Sequence, residues 1–327
     1  MRCLSRCVLS SAFILLFSSV SFAQKDYTKF VDPFIGTGGH GHTYPGAVLP
    51  FGMVQLSPDT RLTGWDGCSG YHYTDTVVYG FSHTHLSGTG IADYNDILFM
   101  PTTGEPKFKN TEYRSGFQKK NESASPGYYK THLDKYNIDV ELTATTRVGV
   151  HKYNYPTTQQ ANIIIDLQHH DQVLDSWIEV LSDHEIIGFR RSKSWAQDQS
   201  VYFYASFSKP FKTYGIALND ELQTGKTRVS GKNVKMYIQF KNPGEVITKV
   251  GISAVESDGA FRNVQAEVAD FDFKKVEKAA KAAWNTELSK IQVEGGARVE
   301  RPGAVREGVY GAQRGGDGAG AGLEIGG

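Results

Sequence analysis

Residues 138–155, IDVELTATTRVGVHKYNY, alternate apolar and polar side chains at a period of two, with Ile138, Val140 and Leu142 set against Asp139 and Glu141. Such alternation marks strands half-buried on a core. The same pattern continues on both sides, in GYYKTHLD (127–134), ANIIIDLQ (161–168), SWIEVLSDHEIIGFRRSKSW (176–195), QSVYFYASFS (199–208), TRVSGKNVKMYIQF (227–240) and VITKVGISAV (246–255). Each reads as strand in pieces of roughly 6 to 10 residues, separated by turns such as KNPGE. No helical period intervenes, so the fold class is all-β, an antiparallel β-sandwich. Arg147, His151, Glu179 and Asp183 fall on these strands and read as solvated faces.

Upstream, residues 31–106 are of another kind. VDPFIGTGGHGHTYPGAVLPFGMVQLSPDT, GWDGCSGYHY and GFSHTHLSGTGIADYNDILFMP are rich in glycine and turn residues and hold His40, His42, His72, His83 and His85. Short strands broken by turns are expected, with Pro45 and Pro50 at edges. The GTGG run lacks the Gly-Lys-Ser/Thr ending of a phosphate loop. Loops held on a rigid scaffold commonly carry binding groups, which makes this the candidate ligand-facing region.

The 327-residue chain has balanced formal charge and 12% aromatic residues. The balance gives no electrostatic footprint for nucleic acid or an anionic membrane. Arg2 and Arg6, an apolar run of about 14 residues and Ser21-Phe22-Ala23 form a cleavable export signal over residues 1–23, too short for a membrane span. A periplasmic or extracellular product is expected. Cys3 and Cys7 leave with the signal, so Cys68 has no partner for an intrachain disulfide.

The β-sandwich is expected to occupy residues 24–269. Residues 270–294 then carry apolar positions Val276, Ala279, Ala280, Ala283, Trp284, Leu288 and Ile291 at helical spacing, with Asp272 as cap. This reads as a helical linker whose Val276–Ala280–Trp284 stripe is exposed. Residues 295–327, dominated by Gly, Ala, Arg, Val and Glu, have no period. They read as a low-complexity tail, either flexible or foreign to the fold through a frameshift or misassembly.

Trp65, Asp66 and Cys68 combine a flat apolar face, a carboxylate and a small polarisable group on a glycine-flanked turn, which complements a pyranose. Cys68 reads as a partly buried, inert thiol rather than a nucleophile. Glycosidic hydrolysis needs two carboxyl groups across the scissile bond. Asp66, Asp93, Asp96 and Glu105 are candidates with no assignable roles, and Asp93, Asn95 and Asp96 read rather as turn-forming and capping groups. The His40/His42 and His83/His85 pairs, with Asp66 or Asp93, give a zinc-dependent hydrolase as a further reading.

These blocks, with DYNDILFMPTTGE, closely resemble the N-terminal domain of glycoside hydrolase family 92, the exported α-mannosidases. The likeness is dense over residues 28–106 and continues to about residue 291. It implies an N-terminal β-sandwich joined to a C-terminal (α/α)6 barrel, and exo-hydrolysis of mannose-containing glycans, α-1,2 by default, with inversion and calcium dependence. It also implies that Trp65, Asp66 and Cys68 contact the terminal mannose, followed by His83, His85 and Ser87. General acid, base and most calcium ligands would lie in the barrel, so no catalytic or metal residue is assigned here. The family pattern is lost after about residue 296, and the expectation is a polypeptide truncated before its barrel and inactive alone. A stand-alone mannose-binding module is the alternative.

Overall fold

A computed structural model describes residues 25–293. The export signal expected over residues 1–23 and the tail expected over 295–327 lie outside the described residues. Residues 138–155 form a hairpin, Ile138–Ala144 paired antiparallel with Val148–Asn154, closed by the Thr145 N–H donating to the Val148 carbonyl at 2.9 Å. Leu142 stands opposite His151, and Val140 opposite Tyr153.

This hairpin lies within a nine-stranded antiparallel sheet. Its order is Arg228–Gly231, Gln172–Val180, Glu185–Lys193, Gln199–Phe207, Glu245–Ser253, Val148–Asn154, Ile138–Ala144, Tyr128–Leu133 and Ser123–Ser125. Facing it is an eight-stranded sheet ordered Ala47–Val48, Gln55–Asp59, Gly80–Ser82, Leu98–Thr103, Ala161–Asp166, Val234–Phe240, Thr213–Leu218 and Glu221–Leu222. The main core lies between them, joining Leu56, Phe81, Phe99 and Ile163 to Val140, Leu142, Phe203 and Val250. The all-β sandwich expected from the alternation is therefore the architecture found. Thr213–Leu218 is a further strand, not evident from alternation because Gly215 and the flanking Thr213 and Tyr214 blur the pattern.

Burial is more complete than a sandwich with one wet face would give. Along Val148–Asn154, His151 and Tyr153 point into the space between sheets, while Val148 and Val150 join a second core on the outer face. Helices cover that face. Ser257–Glu267, unforeseen because it buries only Ala260 and Val264, lies directly on Gly251. A Cβ there would come within 2.4 Å of the Ala260 carbonyl oxygen.

The second helix, Phe273–Leu288, begins at Asp272, whose carboxylate accepts the Lys275 N–H at 3.0 Å. Its stripe is not exposed. Phe273, Val276, Ala280 and Trp284 are buried, and the Trp284 indole N–H donates to the Val48 carbonyl at 2.5 Å. The period announces an apolar face but not what covers it, and here the outer face of the sheet does. Gly127, with φ of +81°, permits this approach, since a Cβ would meet that of Ala280 at 2.8 Å. Asn285 also clasps the N-terminal segment, accepting from the Tyr27 N–H at 2.7 Å and donating to the Lys25 carbonyl at 3.1 Å.

Candidate functional site

Trp65–Gly67 is a single 3-10 turn at the tip of a loop spanning residues 60–70. The loop is cinched at its base, where the N–H groups of Thr60 and Arg61 both donate to the Gly70 carbonyl, at 2.7 and 3.2 Å. Arg61 then pairs with Asp75, its Nε lying 3.1 Å from one carboxylate oxygen. A tip so held presents Trp65 at 59% exposure.

Two imidazoles stand against the indole. His42 meets it edge-on with ring centroids 4.2 Å apart, and His40 at 5.3 Å. His40 Nδ1 lies 2.5 Å from an Asp66 carboxylate oxygen, and this hydrogen bond holds the Asp66 carboxyl below the usual range. An aromatic face, an oriented carboxylate and an imidazole thus share one solvent-facing surface. That combination suits a ligand with an apolar C–H face edged by hydroxyls.

The six residues expected to face sugar divide here. Trp65 and Asp66 reach solvent and Ser87 is half-buried. Cys68 is 2% exposed, with burial pushing its thiol up, so the thiolate is disfavoured. His83 and His85 are closed off. Hydrogen bonds placed them there, and an imidazole's destination depends on acceptors distant in sequence.

His83 lies between the sheets at 0% exposure. Its Nδ1 faces the Ile97 carbonyl at 2.7 Å and so donates, which leaves Nε2 to accept from His151 Nε2 at 2.9 Å. His151 Nδ1 in turn accepts from the Tyr153 hydroxyl at 2.8 Å. Every proton in this chain is placed with both imidazoles neutral. Burial accordingly pushes His83 down to about 4 and His151 well below its ordinary value. His151 is thus no solvated strand face.

His85 is the opposite case. Its Nδ1 faces the Gln55 carbonyl and its Nε2 an Asp59 oxygen, both at 2.7 Å, so both nitrogens donate. Asp59 also accepts from His169 Nε2 at 2.9 Å and from the Asn95 amide at 2.6 Å. Burial alone would raise the Asp59 carboxyl, but His85 and His169 outweigh it and hold it far below the usual range. Gly70, with φ of +85°, lies directly over this carboxylate, where a Cβ would come within 2.4 Å of its oxygen. The buried network thereby sets the seat of the Trp65 loop. Sequence gave no sign of Asp59 or His169, which meet across 110 positions.

The other candidate carboxylates do not reach the Trp65 surface. Asp93 is buried and accepts the Ala196 N–H at 2.7 Å. Asp96 is buried against Arg190, Thr84 and Gln199. Asp96 is thus an interior network member rather than a turn or capping group, whereas Asp93, which also accepts the Tyr94 N–H at 3.0 Å, caps backbone donors as expected. Glu105 pairs with Lys107 in solvent. Among the described residues no group of three or more His, Cys, Asp or Glu side chains is placed to hold a metal ion, which removes the support for a zinc reading.

Comparison with known proteins gives a consistent picture. Residues 30–253 match the glycosyl hydrolase family 92 N-terminal domain, and residues 259–302 match the family's catalytic domain. The second match starts within the helical pair and continues past residue 296. The chain is similar to a family 92 α-mannosidase from Bacteroides thetaiotaomicron solved with mannoimidazole, at TM-score 0.83 and 35% identity, covering 88% of this chain and 40% of that one. It is similar to an inverting family 92 mannosidase from the same organism, strain VPI-5482, at TM-score 0.75 and 27% identity, covering 83% and 37%. An uncharacterized secreted glycosidase of Arthroderma benhamiae is 26% identical over an alignment of 308 residues that covers 84% of this chain and 39% of that protein. The chain therefore spans about two fifths of the length of these relatives.

Proposed function

The chain belongs to glycosyl hydrolase family 92, and from that membership we propose that it forms the N-terminal wall of the sugar pocket of an exo-acting α-mannosidase. The observation that carries this is the exposed Trp65 face beside the His40-oriented Asp66 carboxylate. The indole stacks on the C–H face of a terminal mannose, and Asp66 accepts from its hydroxyls. The mannoimidazole complex of one relative supports mannose as the sugar, and the name of another supports inversion. Cleavage at α-1,2 linkages rests on the family resemblance. Export is supported by the secreted relative, and no helix among the described residues is long and apolar enough to cross a membrane.

Inversion uses two carboxyl groups about 6.5–9.5 Å apart on opposite faces of the sugar. Asp66 is the candidate carboxylate at the Trp65 surface, and the family resemblance places the acid–base pair in the barrel. Calcium dependence rests on the family resemblance, which places most of its ligands in the barrel. The 327-residue polypeptide made by itself is then a binder without turnover.

Calorimetric titration of mannose into this chain tests the reading. Saturable binding that Trp65→Ala weakens about tenfold is expected, and absence of heat at millimolar mannose overturns it. Release of an aryl α-mannoside's leaving group above a heat-killed control would refute the assignment of catalysis elsewhere.

A further inference from the structure

Trp195 is 67% exposed, more than Trp65, on the connection between Glu185–Lys193 and Gln199–Phe207. Its position is fixed although its side chain is not covered. The Ser194 N–H donates to the Ala196 carbonyl at 2.9 Å, and the Gln197 amide to the carbonyls of Ser194 and Trp195 at 3.1 and 3.2 Å. Arg191 and Asp198 pair across the hairpin base, with Nε 2.7 Å from the carboxylate.

This tip is tied to the loop that runs past Trp65. Ser194 Oγ donates to the Ala92 carbonyl at 2.8 Å, and the Ala196 N–H to the buried Asp93 carboxylate at 2.7 Å. At the other end of that loop Gly90 lies so close to Trp65 that a Cβ would come within 3.1 Å of the indole nitrogen. Two residues of chain, at most about 7 Å, separate Gly90 from Ala92. Trp65, Gly90, the half-exposed Ile91, Ala92, Ser194 and Trp195 therefore make one continuous rim.

We infer that Trp195 is a second sugar platform, which stacks on a further hexose of an oligosaccharide whose terminal unit lies on Trp65. This rests on the reading of Trp65 as the mannose face. The surroundings favour sugar over a protein partner. Docking sites for proteins gather several apolar side chains around their aromatic anchor, whereas Trp195 is flanked by Ser194, Ala196, Gln197 and Asp198. An exposed indole whose chain neighbours are Ser194, Gln197 and Asp198, with Ile91 as the aliphatic residue of the rim, matches a pyranose, apolar on its face and polar at its edge.

The test titrates mannose, an α-linked mannobiose and a mannotriose into the full chain and into Trp195→Ala and Trp195→Phe. The expected result is that an oligosaccharide binds roughly tenfold tighter than mannose. Trp195→Ala abolishes that gain with mannose affinity and Tm unchanged, and Trp195→Phe keeps part of it. Mannose binding without a gain on lengthening, or a gain that survives in Trp195→Ala, overturns this inference and leaves the pocket reading intact. Failure of mannose itself to bind overturns both.

Discussion

His83 and His85 show how little residue type says about charge. They flank the same Thr84, two positions apart, yet one ring is neutral and the other donates from both nitrogens. The difference lies in partners: His83 faces one carbonyl and one imidazole, His85 a carbonyl and a carboxylate. Asp59→Asn removes the buried carboxylate that accepts from His85, His169 and Asn95, so about 1–3 kcal/mol of stability is lost in denaturant unfolding at pH 7. A change below about 1 kcal/mol would contradict the ionic pairing. Trp65→Ala, at an exposed tip, shifts Tm by little because surface substitutions stay within about 0.5 kcal/mol. Its tenfold effect on mannose affinity then reads as lost contact rather than lost fold.

Between elements, the decisive contact is the Phe273–Leu288 helix on the nine-stranded sheet. The i, i+4, i+8 spacing of Val276, Ala280 and Trp284 is legible in the sequence, but Gly127, which meets Ala280, and the Val48 carbonyl, which receives Trp284, are not, being more than 150 positions upstream. Trp284→Ala removes a buried ring and leaves the Val48 carbonyl without its donor. The expected loss is about 3–5 kcal/mol in urea unfolding, and a loss near zero would mean the helix stands free of the sheet. Asp272→Ala, by contrast, removes a cap and costs about 1 kcal/mol.

For the whole molecule, His83 and His151 join the two sheets across the core and make stability depend on pH. Both are buried neutral, so their folded values lie below the ordinary 6.5 of an unfolded histidine. Between those values the unfolded chain binds more protons, so stability is fully present above about 6.5 and falls as pH drops toward 4. A proton on His83 would set two N–H groups against each other, and one on His151 would turn Nδ1 from an acceptor of the Tyr153 hydroxyl into a donor against it. Asp59 and His85, which act on His83 from the same layer in opposite senses, do not supply an acceptor for it. The expected loss is on the order of 3 kcal/mol from His83 between pH 7 and 4. Thermal melts over this range check it, and in His151→Phe the fall should be shallower from a lower starting Tm. A pH-independent Tm in the parent protein would refute the neutral pair.

The sequence by itself determined the sheets, the capped helix and the Trp65–Asp66 turn, because alternation, helical spacing and glycine-flanked turns are properties of neighbouring residues. The family blocks in residues 28–106 likewise stand in the chain as written. Only the tertiary structure decided which groups were open to a ligand. Asp59 meets His169 and Asp96 meets Arg190 across roughly a hundred positions, and burial there follows from how the sheets stack. Of six residues of suitable chemistry, stacking left Trp65 and Asp66 at the surface and drew Cys68, His83 and His85 inside.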